Sequence, residues 1–460
     1  MNNSSRRTLN TFALTMITIS SVDSIRNLPS TALFGSSLIF FFLLGAVLFL
    51  IPTALVSAEL SSSWAQQGGV YVWVREAFGK KIGFLAIWFQ WIENVFWYPT
   101  ILSFIAGTLA YILSPNLANN KFFLVSVILI VFWSITLINL YGMRSSALLS
   151  NFSAITGLII PMTLIIGLGI LWITNHHPLQ ITFTTHALLP NAHDSNIWVS
   201  LTGIILSFCG IEIATVHAAD VKNPQKTFPK SLFYSVLFIL FTLILGSLAI
   251  AIVLPKNQIS LVAGIMEAFT AFFQAYHLAW IVPIIGILLV IGGIGGVNNW
   301  TIAPLKGLLI SAEDGTLPSL WLKENRFFAP VSLLIGQALF VTLLTLLFLL
   351  LPSINESYWL LNALASQLYM LMYLLMFAAG IWLRFKYPAQ IRPYKIPGGK
   401  WGIILVGGVG IVACLGTIII GFFPPEILHI PDLFDYELII SSGLIAMMIL
   451  PILIGWLKTP

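Results

Sequence analysis

Hydrophobic residues run along most of this chain in segments long enough to cross a lipid bilayer. A membrane-spanning helix needs about 20 predominantly apolar residues, and polar stretches divide the chain into twelve such segments. Their approximate limits are 9–30, 34–58, 83–113, 122–141, 147–174, 197–219, 230–254, 277–304, 330–351, 357–384, 402–423 and 437–457. The pattern predicts an all-α integral membrane protein with twelve transmembrane helices.

Polar and charged residues interrupt the first and the sixth of these segments, at 19–26 (ISSVDSIR) and 206–212 (LSFCGIE). An unpaired charge at such a depth costs roughly 2.5–3.5 kcal/mol on insertion scales. A non-helical break is tolerated there only where it lines a cavity or is buried in protein. Interrupted segments at corresponding places in two halves point to the binding site of a transporter. We therefore expect a carrier with broken helices 1 and 6.

Segments 1–5 and 6–10 form two units of matching layout. Because five is an odd number, the second unit crosses the membrane in the opposite direction, which is the arrangement of an inverted repeat. Each unit opens with its broken segment and carries a short amphipathic stretch before its third segment, at 64–79 and 260–276. We predict one transporter domain over 1–460, with repeats at about 9–174 and 197–384 and two additional helices within 402–457.

Composition and charge agree with this interpretation. Of the 460 residues, 58% are hydrophobic and 8% are charged, against about 25% charged residues in soluble domains. Basic residues collect on the cytoplasmic side of membrane proteins. With both termini cytoplasmic, 18 of the 21 Lys and Arg residues fall on that side, all except Arg26, Lys121 and Lys256. The compact loops favour a bacterial inner membrane, with the first segment as an internal signal-anchor, and the net charge of +5 is not a nucleic-acid footprint.

The sequence does not indicate a metal or a cofactor. Cys209 and Cys414 both fall within hydrophobic segments and imply no disulfide framework. Four His residues within 175–196 are irregularly spaced without cysteine, which favours a solvated loop, with a pH-sensing role as the alternative. No His-Glu-x-x-His pair, phosphate-binding glycine loop or cluster of catalytic acids occurs. These features argue against a membrane-embedded enzyme.

Two motifs resemble those of a known family. Residues 67–79 (QGGVYVWVREAFG) resemble the loop signature of the amino acid–polyamine–organocation (APC) superfamily, and 207–212 with 222–229 (KNPQKTFP) resemble its second signature. The stretches 12–59, 253–273 and 397–400 are similar to the glutamate/GABA antiporter branch. The resemblance covers nearly the whole chain. It implies the LeuT-like five-plus-five inverted-repeat fold with two added helices, and transport of an amino acid or amine.

The chain departs from that branch at several positions. Gly296 stands where the branch has an acidic residue, Asp23 and Arg26 stand where it has other residues, and Ser20 and Ser21 replace a glycine-rich break. The chain ends about three residues past the twelfth segment, which leaves no room for the C-terminal plug of some acid-resistance antiporters. These differences argue against glutamate as the substrate and against acid gating. The missing acid at Gly296, with neutral pocket walls, favours a neutral or zwitterionic amino acid.

The resemblance implies that the unwound backbones of helices 1 and 6 bind the carboxylate and the amine of the substrate. Half-helix N-termini present free N–H groups to an anion, and freed carbonyls receive a cation. By position, the predicted substrate-binding residues are Ser20, Ser21, Val22 and Asp23, then Phe208, Cys209, Gly210 and Ile211. Alternatively, Ser20 and Ser21 cap the break locally. For Asp23 and Arg26, three residues apart, a structural ion pair is favoured. The alternative is that Arg26 meets a carboxylate or Asp23 an amine.

Two acidic residues are candidates for proton coupling. Glu93 lies in the middle of the third segment among aromatic residues, where burial disfavours the charged carboxylate. A structural hydrogen-bonded carboxyl is the alternative for this residue. Glu212 directly follows the second break. Three roles are open for it: a partner for the substrate amine, a proton carrier and a brace for the unwound segment.

Four further side chains are predicted to line the same site. Asn94 and Trp97 flank Glu93 on the third segment, Trp97 being one helical turn further on. In the eighth segment Asn298 follows a glycine run that permits close helix packing, and in the tenth segment Tyr369 matches a tyrosine of the antiporter pattern. Ordinary packing is the alternative for Trp97 and Tyr369, and Tyr369 is also a candidate outer gate.

Glu59, Arg75 and Asp220 fall near the predicted cytoplasmic ends of segments and are candidates for a gate, with scattered surface charge as the alternative. Sodium coupling is not favoured, since Thr301 is the only nearby hydroxyl in the eighth segment, and the fifth contains no Lys that could replace sodium. The sequence thus predicts an amino acid antiporter that works by alternating access. The rivals are a proton-coupled symporter, an amine or polyamine exchanger and a nutrient sensor. The expected partners are a small-molecule amino acid and the lipid bilayer, with no nucleic acid and no obligatory protein partner.

Overall fold

The computed structural model describes residues 9–64, 66, 68–141, 155–190, 195–213, 221–327, 329–424 and 433–456. All regular secondary structure over these residues is helical. The only strand-like contacts among them are two isolated bridges, Leu9 with Val221 and Glu324 with Pro330. We number the α-helices in chain order: α1 (Thr11–Val22), α2 (Leu28–Ala32), α3 (Leu38–Gly45), α4 (Ile51–Ser63), α5 (Val70–Phe78), α6 (Lys80–Leu113), α7 (Lys121–Leu140), α8 (Ile160–Thr174), α9 (Thr185–Leu188), α10 (Ser195–Ser207), α11 (Pro224–Val253), α12 (Gly264–Ala275), α13 (Val282–Glu313), α14 (Val331–Thr345), α15 (Leu347–Leu350), α16 (Ile354–Lys386), α17 (Gly399–Ile420) and α18 (Leu433–Trp456).

Shorter helical turns connect several of these helices. The 3₁₀ turns are Ile25–Asn27, Gly35–Ser37, Pro115–Asn119, Lys256–Gln258, Ala279–Ile281 and Ser319–Leu322. Two π-helical turns, Ala46–Leu50 and Ile155–Ile159, join α3 to α4 and precede α8. The π turn before α4 keeps one continuous helical stretch from Gly35 to Ser63.

Ten helical stretches of the described chain are long and apolar enough to cross a membrane. They are Gly35–Ser63, Lys80–Leu113, Lys121–Leu140, Thr156–Thr174, Lys226–Val253, Ala279–Asn298, Val331–Leu350, Ile354–Lys386, Gly399–Ile420 and Phe434–Ile454. Each overlaps one of the ten segments predicted to be uninterrupted, and the remaining two predicted segments are the broken first and sixth. The all-helical prediction is confirmed, whereas the total of twelve crossing helices stays a prediction.

The first break lies where α1 ends. Asp23 and Ser24 have extended backbones, with φ/ψ of −70°/127° and −146°/118°, before the 3₁₀ turn and α2 resume the helical path. The hydroxyls of Ser20 and Ser21 both donate to the carbonyl of Ile17, at 2.9 Å and 2.8 Å. Such side-chain bonds offer the backbone an alternative to the helical ladder. Both bonds run back to a carbonyl within α1, so the capping of the groups freed at the break stays a prediction.

The second break follows the end of α10 and comes close to the first. Residues 208–213 form a turn in which Gly210 has φ +109°, a conformation that side chains rarely adopt. A Cβ placed on Gly210 would lie 2.8 Å from the carbonyl oxygen of Ser21 and 2.9 Å from the indole of Trp300. Glycine is therefore required for the turn and for the contact between the two breaks.

Helix α6 lies at the centre of the bundle. It packs along α13 and α16, and the indole N–H groups of Trp91 and Trp88 bond it to its neighbours. Trp91 donates to Gln337 of α14 at 2.9 Å, and Trp88 donates to the carbonyl of Met447 in α18 at 3.0 Å. Because the middle of α6 is buried, its polar residues Gln90, Glu93 and Asn94 face protein rather than lipid.

The two predicted amphipathic stretches form α5 and α12. Helix α5 packs against α6 and α16, and α12 packs against α11 and α13. Each precedes a long helix, α6 after α5 and α13 after α12. This order matches the predicted repeat layout, and the repeat symmetry itself stays a prediction, as does the single-domain organisation.

Candidate functional site

A cavity of about 120 Å³ lies where the two breaks meet. Residues 20–27 of the first break line one part of it, and the end of α10 contributes Leu206 and Cys209. The remaining walls come from Glu93, Asn94, Trp97, Ile101 and Phe104 of α6, Leu289, Gly292, Gly293, Gly296 and Trp300 of α13, Gly157, Leu158 and Tyr369. Both interrupted segments therefore border one cavity, which charged side chains also line.

Nine of the residues predicted from the sequence line this cavity: Ser20, Ser21, Val22, Asp23, Glu93, Asn94, Trp97, Cys209 and Tyr369. Five do not: Phe208, Gly210, Ile211, Glu212 and Asn298. Gly210 instead brings the two breaks together. Phe208 and Ile211 are fully buried, and the Phe208 ring packs edge-on against Phe42 with centroids 5.6 Å apart. Those two side chains anchor the second break in the hydrophobic core.

Asp23 and Arg26 do not form the ion pair favoured from their spacing. Asp23 Oδ2 accepts a bond from the hydroxyl of Thr242 in α11 at 2.7 Å. Arg26 Nη1 bonds to Thr100 of α6 and to Tyr358 and Asn362 of α16. The spacing rule assumes a continuous helix, and the extended backbone at 23–24 removes that geometry. The two charged side chains therefore bond to different helices.

Glu93 lines the cavity and is only 3% exposed. Its Oε2 accepts a bond from Asn94 Nδ2 at 2.8 Å, and the same amide donates to the carbonyl of Gln90 at 2.7 Å. No ion pair with Glu93 occurs among the described residues. The arrangement holds a carboxyl at the cavity wall through a neutral amide, so its charge is not neutralised by a direct basic partner.

Glu212 lies behind the cavity wall and has the geometry of a brace. Its Oε1 accepts bonds from Gln90 Nε2 at 3.0 Å and from the hydroxyl of Tyr369 at 2.5 Å. Its Oε2 accepts a bond from the hydroxyl of Tyr373, which in turn accepts the backbone N–H of Gly210 at 2.9 Å. These bonds tie the second break to α6 and α16. Tyr369 thus serves both as a cavity wall and as a partner of Glu212.

Asn298 was predicted to face the substrate, but it points to a neighbouring helix. Its Oδ1 accepts a bond from Asn139 Nδ2 of α7 at 2.8 Å, and its side chain is 2% exposed. On a helix, two residues of separation correspond to about 200° of rotation, so Asn298 lies nearly opposite Gly296. The cavity-facing positions of α13 instead include Gly292, Gly296 and Trp300, each four residues apart, together with Leu289 and Gly293.

Trp300 was missed by the sequence analysis, although this four-residue spacing was a usable signal. Its ring lies 5.7 Å from that of Trp97, measured between centroids, and its indole also approaches Gly210. Trp97 and Trp300 therefore form an aromatic wall between α6 and α13. Aromatic faces also attract cations.

Comparison with known proteins identifies the family. The family model for amino acid permeases matches residues 9–450. The chain belongs to the amino acid permease family. An uncharacterized transporter of Legionella pneumophila is 44% identical to it, over 98% of this chain and 97% of the relative. A glutamate/gamma-aminobutyrate antiporter of Lactococcus lactis is 28% identical over 98% of this chain and 90% of its own length.

A third relative, a probable agmatine/putrescine antiporter of Lactococcus lactis, is 26% identical over 82% of this chain and 79% of its own length. The permease is thus a multi-pass membrane transporter of the APC superfamily, similar to the glutamate/GABA antiporter branch, as its motifs predicted. These relatives carry the names of transporters rather than of enzymes.

Glu59, a gate candidate of the permease, lies in a buried ionic cluster. Arg384 of α16 donates to both of its carboxylate oxygens, through Nε at 2.7 Å and through Nη2. The backbone N–H of Ile396 donates to Glu59 Oε2 at 2.8 Å, and Arg392 Nε lies 3.3 Å from Oε1. The cluster joins α4, α16 and the segment that leads to α17.

Arg75 lies in a second, separate cluster, and Asp220 lies outside the described residues. Arg75 Nη1 donates to Asp314 Oδ2 at 2.8 Å, and the hydroxyl of Tyr71 donates to the same oxygen at 2.7 Å. These bonds from Tyr71 and Arg75 hold the pKa of Asp314 below its usual range. The sequence analysis missed Asp314 and Arg384, although both follow long apolar stretches, where charged residues commonly mark the end of a span.

Proposed function

We propose that the permease is a secondary active transporter that moves an amino acid across the membrane by alternating access, most readily by exchange. The observation that carries this proposal is the cavity between the two breaks. Backbone groups freed from helical bonding can bind a carboxylate and an ammonium, and here both breaks border the same cavity. The cavity is the proposed substrate site, with the nine predicted residues that line it as its walls.

The proposed architecture has twelve crossing helices in a five-plus-five inverted repeat, with both termini in the cytoplasm of a bacterial cell. The ten continuous apolar helices and the two helices that end at breaks support this architecture. The bias of Lys and Arg residues supports the orientation. The bacterial relatives support the inner membrane as the location.

Alternating access requires contacts that break as one group of helices moves against another. The Glu59–Arg384 and Arg75–Asp314 clusters are suited to that role, since each joins elements that are distant in sequence. Both lie on the side assigned to the cytoplasm by the charge distribution. We therefore assign them to the closed cytoplasmic gate of this conformation.

Exchange is preferred over ion-driven uptake because two relatives carry the name antiporter. A proton-coupled symporter is the second candidate, and the position of Glu93 at the cavity wall favours it. An amine exchanger is the third candidate. Asp23 and Glu93 could both receive ammonium groups, and one relative is named for agmatine and putrescine.

The decisive experiment is counterflow in proteoliposomes that contain the purified protein. Vesicles are preloaded with a mixture of amino acids, and uptake of a labelled amino acid is measured without any ion gradient. Uptake that depends on internal amino acid supports exchange, and competition then identifies the substrate. Uptake into empty vesicles under a pH step supports proton symport. Exchange of diamines but of no amino acid would replace the proposal by the amine exchanger.

A further inference from the structure

We propose that Arg26 is the carboxylate anchor of the cavity, so that this permease selects substrates that carry a carboxylate over amines that lack one. The inference rests on the proposed function, since it takes the cavity as the transport site. It goes further by assigning recognition of the anion to a side chain, in addition to the free backbone groups of the breaks.

Arg26 is a buried charged residue of the cavity. Its side chain is buried, with 2% exposure, and it lines the cavity. Buried arginines are normally paired with an acid, because an isolated charge is costly in protein and membrane interiors. No acidic side chain among the described residues forms an ion pair with Arg26. Over the part of the chain that the structure describes, its charge therefore lacks a direct anionic partner.

The guanidinium of Arg26 is only partly hydrogen-bonded. Nη1 donates to the hydroxyl of Tyr358 at 2.9 Å, to the hydroxyl of Thr100 at 3.0 Å and to Asn362 Oδ1 at 3.4 Å. All three partners are neutral. Nε is buried and has no hydrogen-bond partner. The protein therefore holds one corner of the guanidinium and leaves a donor for another acceptor.

Aromatic rings fix the orientation of the Arg26 guanidinium. The guanidinium carbon lies 5.4 Å from the ring centroid of Trp97 and 5.8 Å from that of Tyr358. Aromatic faces and neutral acceptors hold an arginine without neutralising it. A guanidinium that is already oriented loses little freedom when it binds the planar carboxylate that its geometry matches.

Asp23, whose carboxylate bonds to a different helix from those that hold Arg26, supplies the complementary charge. Asp23 is 5% exposed and bonds to Thr242 through Oδ2, while its Oδ1 is buried without a hydrogen-bond partner. The cavity thus offers Asp23 as an acceptor and Arg26 as a cationic donor, which suits the two charges of an amino acid. A diamine would bring a second positive charge towards Arg26, and like charges in a desolvated site repel.

The test compares the wild type with Arg26→Gln in the counterflow assay. Each amino acid that the wild type carries is paired with the amine that remains after removal of its α-carboxylate. We expect the wild type to prefer the amino acid. We expect Arg26→Gln to raise the KM of carboxylate substrates at least about tenfold, because a charged hydrogen bond is lost. The KM of the amines should not rise. Lys256→Gln is the matched control, because it removes one positive charge from an exposed turn.

Two sources of the carboxylate are separated by comparing neutral with dicarboxylic amino acids. A loss for both classes assigns Arg26 to the α-carboxylate, and a loss confined to the dicarboxylic class assigns it to the side-chain carboxylate. Arg26→Lys retains the charge without the planar fork, so we expect an intermediate KM. This variant also serves if Arg26→Gln does not fold.

Several results would overturn the inference. An unchanged KM in folded Arg26→Gln or Arg26→Lys contradicts it, as does a wild type that prefers the decarboxylated amine. If the wild type carries amino acids while the Arg26 variants behave normally, the inference alone fails. If the wild type carries neither amino acids nor amines, the proposed function fails as well.

Discussion

Gly210 in the second break lies directly against the backbone carbonyl of Ser21 in the first, so close that a Cβ on Gly210 would be 2.8 Å from that oxygen. Two segments almost two hundred residues apart in the chain therefore meet backbone to backbone beside the cavity. This contact joins the two halves of the permease at the proposed substrate site, and it depends on the absence of a side chain.

Gly210→Ala should severely impair transport. The added methyl would clash with Ser21 and Trp300, and the positive φ of +109° adds strain, typically of order 1–3 kcal/mol for a non-glycine residue. We expect at least a tenfold loss of exchange, by the equivalence of about 1.4 kcal/mol with a factor of ten. The matched control is Gly408→Ala in α17, where no atom lies within 4 Å of the added methyl. Equal activity of the two variants would contradict the role of the contact.

Glu212→Gln should destabilise the protein and lower transport together. Its carboxylate accepts bonds from Gln90, Tyr369 and Tyr373, and an amide cannot serve all three donors. A buried donor left without a partner costs about 1–3 kcal/mol. We expect a lower melting temperature in detergent. Combining it with Tyr373→Phe should cost less than the sum of the single changes, because both act on one network; a strictly additive cycle would argue against the brace.

Glu93→Gln should separate exchange from proton coupling. Glutamine has nearly the same shape but cannot release a proton, and it retains an oxygen that can accept the Asn94 amide. We expect counterflow of the amino acid to persist and any uptake driven by a pH step to disappear. The measurement is uptake into preloaded and into empty vesicles over a range of pH. Wild-type pH-driven uptake in the variant would exclude Glu93 as the proton carrier.

Gly296→Leu should narrow the range of substrates. Gly296 lines the cavity, and no atom lies within 4 Å of a Cβ built on it. A larger side chain would therefore occupy space that is open to the substrate. We expect the KM to rise more for large amino acids than for glycine or alanine, as judged by competition against a labelled substrate. Gly336→Leu, also at an uncrowded position but in α14, is the control; a uniform loss for all sizes would speak against a size filter.

Arg75→Gln should change the rate of transport and leave the order of competing substrates unaltered, because the Arg75–Asp314 contact lies outside the cavity. The pKa of Asp314 is lowered in the folded protein, so the contact is present above the ordinary aspartate pKa of about 3.9 and is lost as the pH falls through the lower folded value. We expect the ratio of wild-type to variant rates to be constant between about pH 5 and pH 8. A ratio that changes across that window, or a shift in substrate preference, would argue against this gate.

Much of the helical layout could be predicted from the sequence because it depends on local properties. The length of an apolar run decides whether a helix can cross a bilayer, and polar residues within such a run mark where the helix is interrupted. Residues 20–23 and Cys209 line the cavity for that reason. Glu93, Asn94 and Tyr369 also lie there, since polar groups inside apolar helices avoid lipid.

The sequence did not predict the direction in which individual side chains point. Asn298 was chosen because it is polar, yet rotation about α13 directs it towards Asn139, while Gly296 and Trp300 face the cavity. Glu212 was ambiguous because its three donors come from two other helices. Such choices depend on how neighbouring helices are rotated and packed, which a single chain pattern does not specify.

Asp23 and Arg26 mark the division between the two kinds of information. The sequence alone placed both charges at an interruption of an apolar helix, since local hydrophobicity determines that position. Only the tertiary structure decided that they do not pair, because the partners of Arg26 lie 74, 332 and 336 residues further along the chain. The fold supplies neutral acceptors for Arg26 from two helices and a hydroxyl for Asp23 from a third. Two side chains whose spacing suggests an ion pair therefore make separate polar contacts beside one cavity.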